Sequence, residues 1–328
     1  MRVALQLLVS AGLIGYLVWK IDVGQTVHNI ATSNLLYVVA AWAIYVATLL
    51  PMAWRWQVLL ASKGVHEPLT WLAKLYLIGY AASQVLPTGI GGDAVRIVEH
   101  LRKRPDVKGE TAAAVLMERV VGSAGILVVV AIGLALAVGR YSHIGPFIWV
   151  EGASVAVLLV LGLLLFSRRA NAFLQKHIFP RGAAVRLHRP LSSVWTALHG
   201  YRWRPQALVL ALIVSIAVQF VRIIVIWLCG EAVGVHVSPL VYVILGPLLF
   251  LVTMVPVTVN GLGVRESFFV FFLERFGVNA DAAFAAGFMF FAVTIATAFP
   301  GGIIFAWRSL RNLSASSVRR ERTRVEAG

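Results

Sequence analysis

Apolar residues in this chain come in long unbroken runs separated by short polar or basic stretches. Six runs stand out: Val3–Trp19, Leu35–Trp54, Thr111–Val138, Phe147–Phe166, Ala207–Cys229 and Ala282–Trp307. A helix rises about 1.5 Å per residue, so each run suffices to cross a hydrocarbon core of about 30 Å. A transmembrane barrel would need strands that alternate apolar and polar residues, which these runs do not do. The first run follows Met1-Arg2 in the manner of a signal sequence. No small-x-small cleavage site precedes Lys20-Ile21-Asp22, so it reads as a first transmembrane helix.

Two further apolar segments, Leu69–Leu86 and Pro239–Pro256, run into glycine-rich stretches. The first continues through Pro87, Gly89, Gly91 and Gly92, the second through Pro256, Asn260, Gly261 and Gly263. Glycine permits tight turns and proline helps to end a helix, so these positions read as turns inside re-entrant segments. Charge bookkeeping leads to the same reading. Basic residues concentrate in Arg96–Lys108 (five), Arg168–Arg204 (eight, with no acid) and Arg308–Arg324 (six). Lys and Arg mark the cytoplasmic side, and the second span returns the chain to that side near Arg55. The segment Leu69–Arg96 must then start and finish inside, and Pro239–Phe276 must start and finish outside.

Shifting the chain by 169 residues lays Pro87 on Pro256, Gly92 on Gly261, Val95 on Val264 and Arg96 on Arg265. The same ungapped shift brings Leu35–Trp54 onto Ala207–Cys229 and Thr111–Val138 onto Ala282–Trp307. By parity these halves run in opposite directions, an arrangement of many secondary transporters that places the binding site near mid-membrane. The expected fold is therefore an all-α polytopic membrane protein with about six full spans and two re-entrant segments arranged as inverted repeats. One transmembrane domain covers 1–310, with repeats at about 1–139 and 147–307, and 311–328 forms a basic cytoplasmic tail. The expected location is the inner membrane, with both termini cytoplasmic.

Composition narrows the function. With 59% hydrophobic and only 13% charged residues among 328, the chain is an integral membrane protein. Its net charge of +15 would suggest nucleic acid in a soluble protein; here topology accounts for it, and no nucleic-acid partner is expected. The one cysteine, Cys229, precludes an intramolecular disulfide. The histidines lack helical pairing, so neither a metal site nor a cofactor is expected. HExxH, GxSxG, Walker and GxGxxG motifs are absent. Tryptophans such as Trp54, Trp56 and Trp307 read mostly as interfacial anchors.

Charges within apolar spans carry the chemistry, since each costs roughly 2.5–3.5 kcal/mol at mid-membrane on insertion scales and needs a partner or a task. Glu118 and Arg119 lie about two turns into the helix that starts at Thr111. Adjacent helical residues point about 100° apart, so each should find a partner elsewhere. Gly122 and Gly125 thin the same helix for close packing. Ser215, Gln219 and Arg222 form a polar stripe that should face the bundle interior or a cavity. Asp93 and Arg96 follow the first glycine turn, Arg265 and Glu266 the second, where backbone N–H groups at a helix start favour an anion.

The stretches Gln84–Arg96 and Val255–Glu266, with Met117-Glu118-Arg119, resemble the lysylphosphatidylglycerol synthase transmembrane family, whose stand-alone members are often called flippase-like. The resemblance runs from about the second span to the last. Fused members carry a separate soluble aminoacyl-transferase region, for which the roughly 20 residues after the last helix leave no room. What it implies is the lipid-moving part and not an enzyme. Related membrane regions also accompany glycosyltransferases or occur near hopanoid and other envelope-lipid pathways, so the cargo is not implied with the fold. Recurrent intramembrane arginines favour an anionic or phosphate-bearing lipid, whether phospholipid, aminoacylated or polyprenyl-type. Arg96, Arg119, Arg222 and Arg265 are expected to meet its phosphate, with Asp93, Glu118 and Glu266 orienting them or carrying a proton, and Gln219 and Asn260 nearby. The alternatives are a membrane-embedded transferase acting on a lipid, and an accessory subunit that recruits a soluble lipid-modifying enzyme.

Overall fold

A computed structural model describes residues 2–86, 91–137, 194–254, 258 and 261–326, with isolated positions between 149 and 167. Most of these residues are helical, and no strand occurs among them. The helices are α1 (Arg2–Lys20), α2 (Val23–Ala31), α3 (Leu35–Ala47), α4 (Leu49–Ala61), α5 (Leu69–Val85), α6 (Gly91–Lys103), α7 (Lys108–Ala137), α8 (Pro205–Ala232), α9 (Pro239–Met254), α10 (Val264–Leu273) and α11 (Ala280–Glu326). Four apolar stretches are long enough to cross a membrane: Leu35–Ala61, Lys108–Leu136, Pro205–Ala232 and Ala280–Trp307. The chain is thus an all-α, multi-pass membrane protein. The span expected at Phe147–Phe166 falls outside the described residues apart from isolated positions, as do the turn residues Pro87, Gly89 and Pro256 and the candidate Asn260.

The second span differs from its expectation. It continues past Trp54 to Ala61 and is interrupted at Thr48, where α3 passes into α4. Pro51 has no N–H to offer the carbonyl of residue 47, and its ring crowds that carbonyl, so the helical ladder breaks one turn earlier. The Thr48 hydroxyl donates to the Tyr45 carbonyl at 2.6 Å and holds the junction together.

Contacts between loops sort the helix ends into two groups. At one end, Glu67 before α5 meets Lys103 and Arg104 after α6 at 3.4 and 3.1 Å, and Tyr201 before α8 donates to the Leu59 carbonyl of α4 at 3.1 Å. At the other end, Asn34 before α3 donates its N–H to the Ala232 carbonyl that closes α8, and Lys20 reaches Glu274 after α10 at 2.7 Å. Helix α8 consequently runs antiparallel to α3 and α4. The α5–α6 pair leaves from and returns to one end of the bundle. Its two backbones touch, since a Cβ on Gly92 would stand 2.3 Å from the Gly79 carbonyl oxygen. In the second pair the positive φ angles of Gly261 (73°) and Gly263 (83°) make the turn into α10.

Two apolar cores result. One gathers Trp56, Leu59, Leu72, Leu75, Met117 and Ala211 around α4, α5 and the first half of α7. The other gathers Tyr45, Ile223, Tyr242, Phe269 and Phe290 around α3, α9, α10 and α11. Along α7 membership changes between Val121 and Ile126, and along α8 between Ala211 and Ile223. Buried Ser215 and Gln219 occupy that seam.

Helices α5 and α11 approach each other closely at Gly301, where a Cβ would clash with the Leu77 carbonyl oxygen, whereas one on Gly302 meets nothing within 4 Å. Gly301→Ala should therefore destabilise the protein by about 1–3 kcal/mol through overpacking. Gly302→Ala should be neutral or stabilising by up to about 1 kcal/mol through helix propensity. Thermal unfolding of the two variants in the same detergent measures the difference, and equal melting temperatures would remove the steric argument.

Candidate functional site

The seam holds an ion network drawn from five helices. Arg55 comes from α4, Tyr76 from α5, Asp93 and Arg96 from α6, Glu118 and Arg119 from α7, and Ser215, Gln219 and Arg222 from α8. Glu118 is its centre and is 2% exposed. Its Oε1 accepts from Arg55 Nε at 3.2 Å, Arg55 Nη2 at 3.1 Å and the Tyr76 hydroxyl at 2.9 Å. Its Oε2 faces Arg96 Nη2 at 2.8 Å, an ion-pair contact and not an aligned hydrogen bond. Arg96 also donates to Asp93 Oδ1 at 3.0 Å, and Arg119 Nε closes on Asp93 Oδ2. Arg55 Nη1 donates to the Ser215 hydroxyl at 2.7 Å, tying α4 to α8.

Aromatic faces complete the support. The Arg96 guanidinium lies 4.6 Å from the Trp56 ring centroid and 4.2 Å from that of Tyr76. A desolvated cation over such faces is stabilised by about 2 kcal/mol. Around these groups is a cavity of about 270 Å³ lined by Asp93, Arg96, Glu118, Arg119, Gln219 and Arg222 among others. A second cavity of about 180 Å³ shares Met52, Tyr76, Asp93, Arg96 and Arg119 with it and extends towards Tyr80 and Ser83. Gly122 lines the larger cavity beside Arg55, and Gly125 lets α7 touch α8 at Ser215, where a Cβ would stand 2.8 Å away.

Of the residues singled out from the sequence, Asp93, Arg96, Glu118, Arg119, Gln219 and Arg222 line this cavity. The stripe Ser215, Gln219 and Arg222 faces it, and Glu118 and Arg119 have separate partners. Arg222 meets no carboxylate among the described residues: Nη2 touches the Met52 sulfur at 3.1 Å, and the guanidinium lies 5.6 Å from the rings of Tyr45 and Phe250. Arg265 and Glu266 do not line the cavity. They form a second buried pair at 3.0 Å, with Arg265 4.6 Å from the Phe291 ring. Glu266 also accepts from the Gly263 N–H at 2.7 Å and so caps the start of α10. Here residues adjacent in sequence do meet, because α10 begins between them and the turn that positions Glu266.

Three supporting residues lie beyond the sequence expectations. The topology argument puts Arg55 at the cytoplasmic flank, yet it is 7% exposed and pairs with Glu118. Trp56 reads as an interfacial anchor and is instead fully buried beneath Arg96, whereas Trp54 and Trp307 stay exposed. Nothing local sets Tyr76 apart from its apolar neighbours. The signal for Arg55 lies in the apolar run that resumes after it, Val58-Leu59-Leu60-Ala61, which places it inside a span.

Among the described residues no group of His, Cys, Asp or Glu is placed to hold a metal ion. Four guanidiniums and two carboxylates instead line the cavity, leaving two positive charges in excess around it. Removing one member of a buried pair costs about 3–5 kcal/mol, because its partner remains charged and unpaired. Glu118→Ala leaves Arg55 without a carboxylate and Arg96 with Asp93 alone, and should lower stability by about that much; Glu118→Gln, which still accepts hydrogen bonds, should lose less. Chemical denaturation in detergent ranks the two, and the reverse order would show that charge pairing at Glu118 is not what holds the seam.

No curated protein matches the chain. Residues 3–302 match a family model described as the lysylphosphatidylglycerol synthase TM region, which is the flippase-like membrane module and not a catalytic synthase domain. The motifs around Gly92, Glu118 and Gly261 thus sit in a match that spans nearly the whole chain, and the protein belongs to the lysylphosphatidylglycerol synthase transmembrane-region family.

Proposed function

We propose that the protein moves an anionic, phosphate-bearing lipid between the two leaflets of the inner membrane. The observation that carries this reading is the surplus of two guanidiniums around a cavity sunk among membrane-length helices. Guanidinium binds phosphate through charge-assisted, often bidentate hydrogen bonds. A headgroup phosphate would enter at Arg119 and Arg222 while its acyl chains stay in the bilayer. Arg55, Arg96, Glu118 and Tyr76 would form the fixed floor. Membership of a flippase-like family supports lipid movement.

The helix arrangement supports alternating exposure by two inverted halves. With the 169-residue shift, Leu69–Val85 falls on 238–254, which is α9 within one residue, and Gly91–Lys103 falls on 260–272, which covers most of α10. The counterpart of α3 and α4 is the antiparallel α8. At 16 and 10 residues, α9 and α10 are about 24 and 15 Å long, short of the roughly 30 Å core. We read both pairs as re-entrant hairpins, the first entered from the end that carries Lys63, Lys103, Arg104 and Arg204. That end is basic and so cytoplasmic, which puts both chain termini inside.

The test is headgroup accessibility in proteoliposomes, with tail-labelled anionic lipids and an impermeant quencher. The wild-type chain should abolish the protection of inner-leaflet label. Arg119→Ala and Arg222→Ala should each slow this on the order of tenfold or more, equivalent to losing one charged hydrogen bond of about 1.5–3 kcal/mol. Both variants should still insert and elute as the wild type does. Full activity in both would dismiss the cavity as the lipid path, and no movement of any lipid by folded protein would dismiss the flippase reading.

A further inference from the structure

The cavity is selective in what it leaves unused. Among the described residues every carboxylate oxygen on its wall is engaged by a cation: Asp93 Oδ1 by Arg96, Asp93 Oδ2 by Arg119, Glu118 Oε1 by Arg55 and Glu118 Oε2 by Arg96. Donors, by contrast, remain. Arg96 Nη1 and Arg222 Nε have no hydrogen-bond partner among the described residues, and the thioether that Arg222 Nη2 touches is a weak acceptor. A buried neutral polar group also remains, the Gln219 amide, which is 5% exposed and whose Oε1 lacks a partner among the described residues. It lies three residues before Arg222 on α8, so both side chains share one face about one turn apart.

We propose that this site selects a phosphate whose neighbouring group carries hydroxyls and no ammonium, with the phosphate on Arg222 and a hydroxyl donating to Gln219 Oε1. The inference deepens the flippase reading and rests on it for the lipid source of the phosphate. A headgroup ammonium finds no free carboxylate here. To bind, it must displace an arginine from Asp93 or Glu118, or stand beside the two surplus cations, and like charges so placed cost several kcal/mol. Amino-bearing lipids are therefore turned away, even though the synthase for which the family is named attaches a lysyl group.

Four tail-labelled lipids test this in the same proteoliposomes: phosphatidylglycerol, phosphatidic acid, phosphatidylethanolamine and lysylphosphatidylglycerol. Phosphatidylglycerol should move on the order of tenfold or more faster than either ammonium-bearing lipid. Gln219→Leu should erase its advantage over phosphatidic acid, which has no headgroup hydroxyl. Arg222→Gln should slow both, and Arg222→Lys should recover part of the rate, which a merely unfolded variant cannot do. Soluble glycerol phosphate at millimolar concentration should leave the rates unchanged. Equal or faster movement of the ammonium-bearing lipids would overturn the selectivity while leaving the flippase reading intact. Suppression by soluble glycerol phosphate would reassign the ligand to a soluble phosphate ester. If no lipid moves, the flippase reading fails by itself, and retention by purified protein in native mass spectrometry decides the selectivity: preference for phosphatidylglycerol over phosphatidylethanolamine supports it, equal retention overturns it.

Discussion

A single carboxylate, Glu118, makes the rest of the arrangement tenable. Two guanidiniums from different helices, Arg55 and Arg96, are nearly closed off from solvent, and an isolated charge there would be expelled or would unfold its surroundings. Glu118 neutralises part of that charge, takes the Tyr76 hydroxyl as well, and thereby fixes α4, α5, α6 and α7 about one point. Burial of charge is weak evidence for stability. Its effect here is one of register, since a rotation of α7 would carry Glu118 away from both arginines.

Much of this was legible in the sequence because lipid imposes strict rules. The spans at Thr111–Val138, Ala207–Cys229 and Ala282–Trp307 follow from apolar length alone, and α7, α8 and α11 cover them. The polar stripe from Ser215 to Arg222 follows from helical period and the expense of charge in hydrocarbon. Arg55 did not follow, because an arginine between two tryptophans has the same local signature at a membrane interface as it has inside a bundle. Three-dimensional partners 63 residues away at Glu118 and 160 away at Ser215 decide between the two, and no sequence window contains them. Arg265 is the converse case. Its motif matches that of Arg96, yet its surroundings give it a neighbour on its own helix in place of a shared network.

The two stretches that the 169-residue shift lays over each other do not carry the same site. With the 169-residue shift, Glu118 falls on Gly287, and the space a side chain there would need is filled by Phe269, since a Cβ on Gly287 would stand 3.1 Å from that ring. Tyr76 falls on Leu245 and Arg55 on Ile224. The first half buries an ion network, whereas the second, apart from the Arg265–Glu266 pair and the stripe on α8, packs aromatic and aliphatic side chains, and the cavity lies at the seam where the two cores meet. An apolar half gives the charged one a rigid wall to work against.

Arg96 occupies a slot between the rings of Trp56 and Tyr76 while facing Glu118 on one side and Asp93 on the other. Ring faces hold a cation in place without dictating which nitrogen points where, whereas a carboxylate dictates direction. One nitrogen of Arg96, Nη2, faces both acids at once. Arg119 at the rim, Asp93, Arg96 and Glu118 at the floor are therefore links of one continuous chain of charge contacts, and the rim cannot change partners without altering the charge that the floor meets.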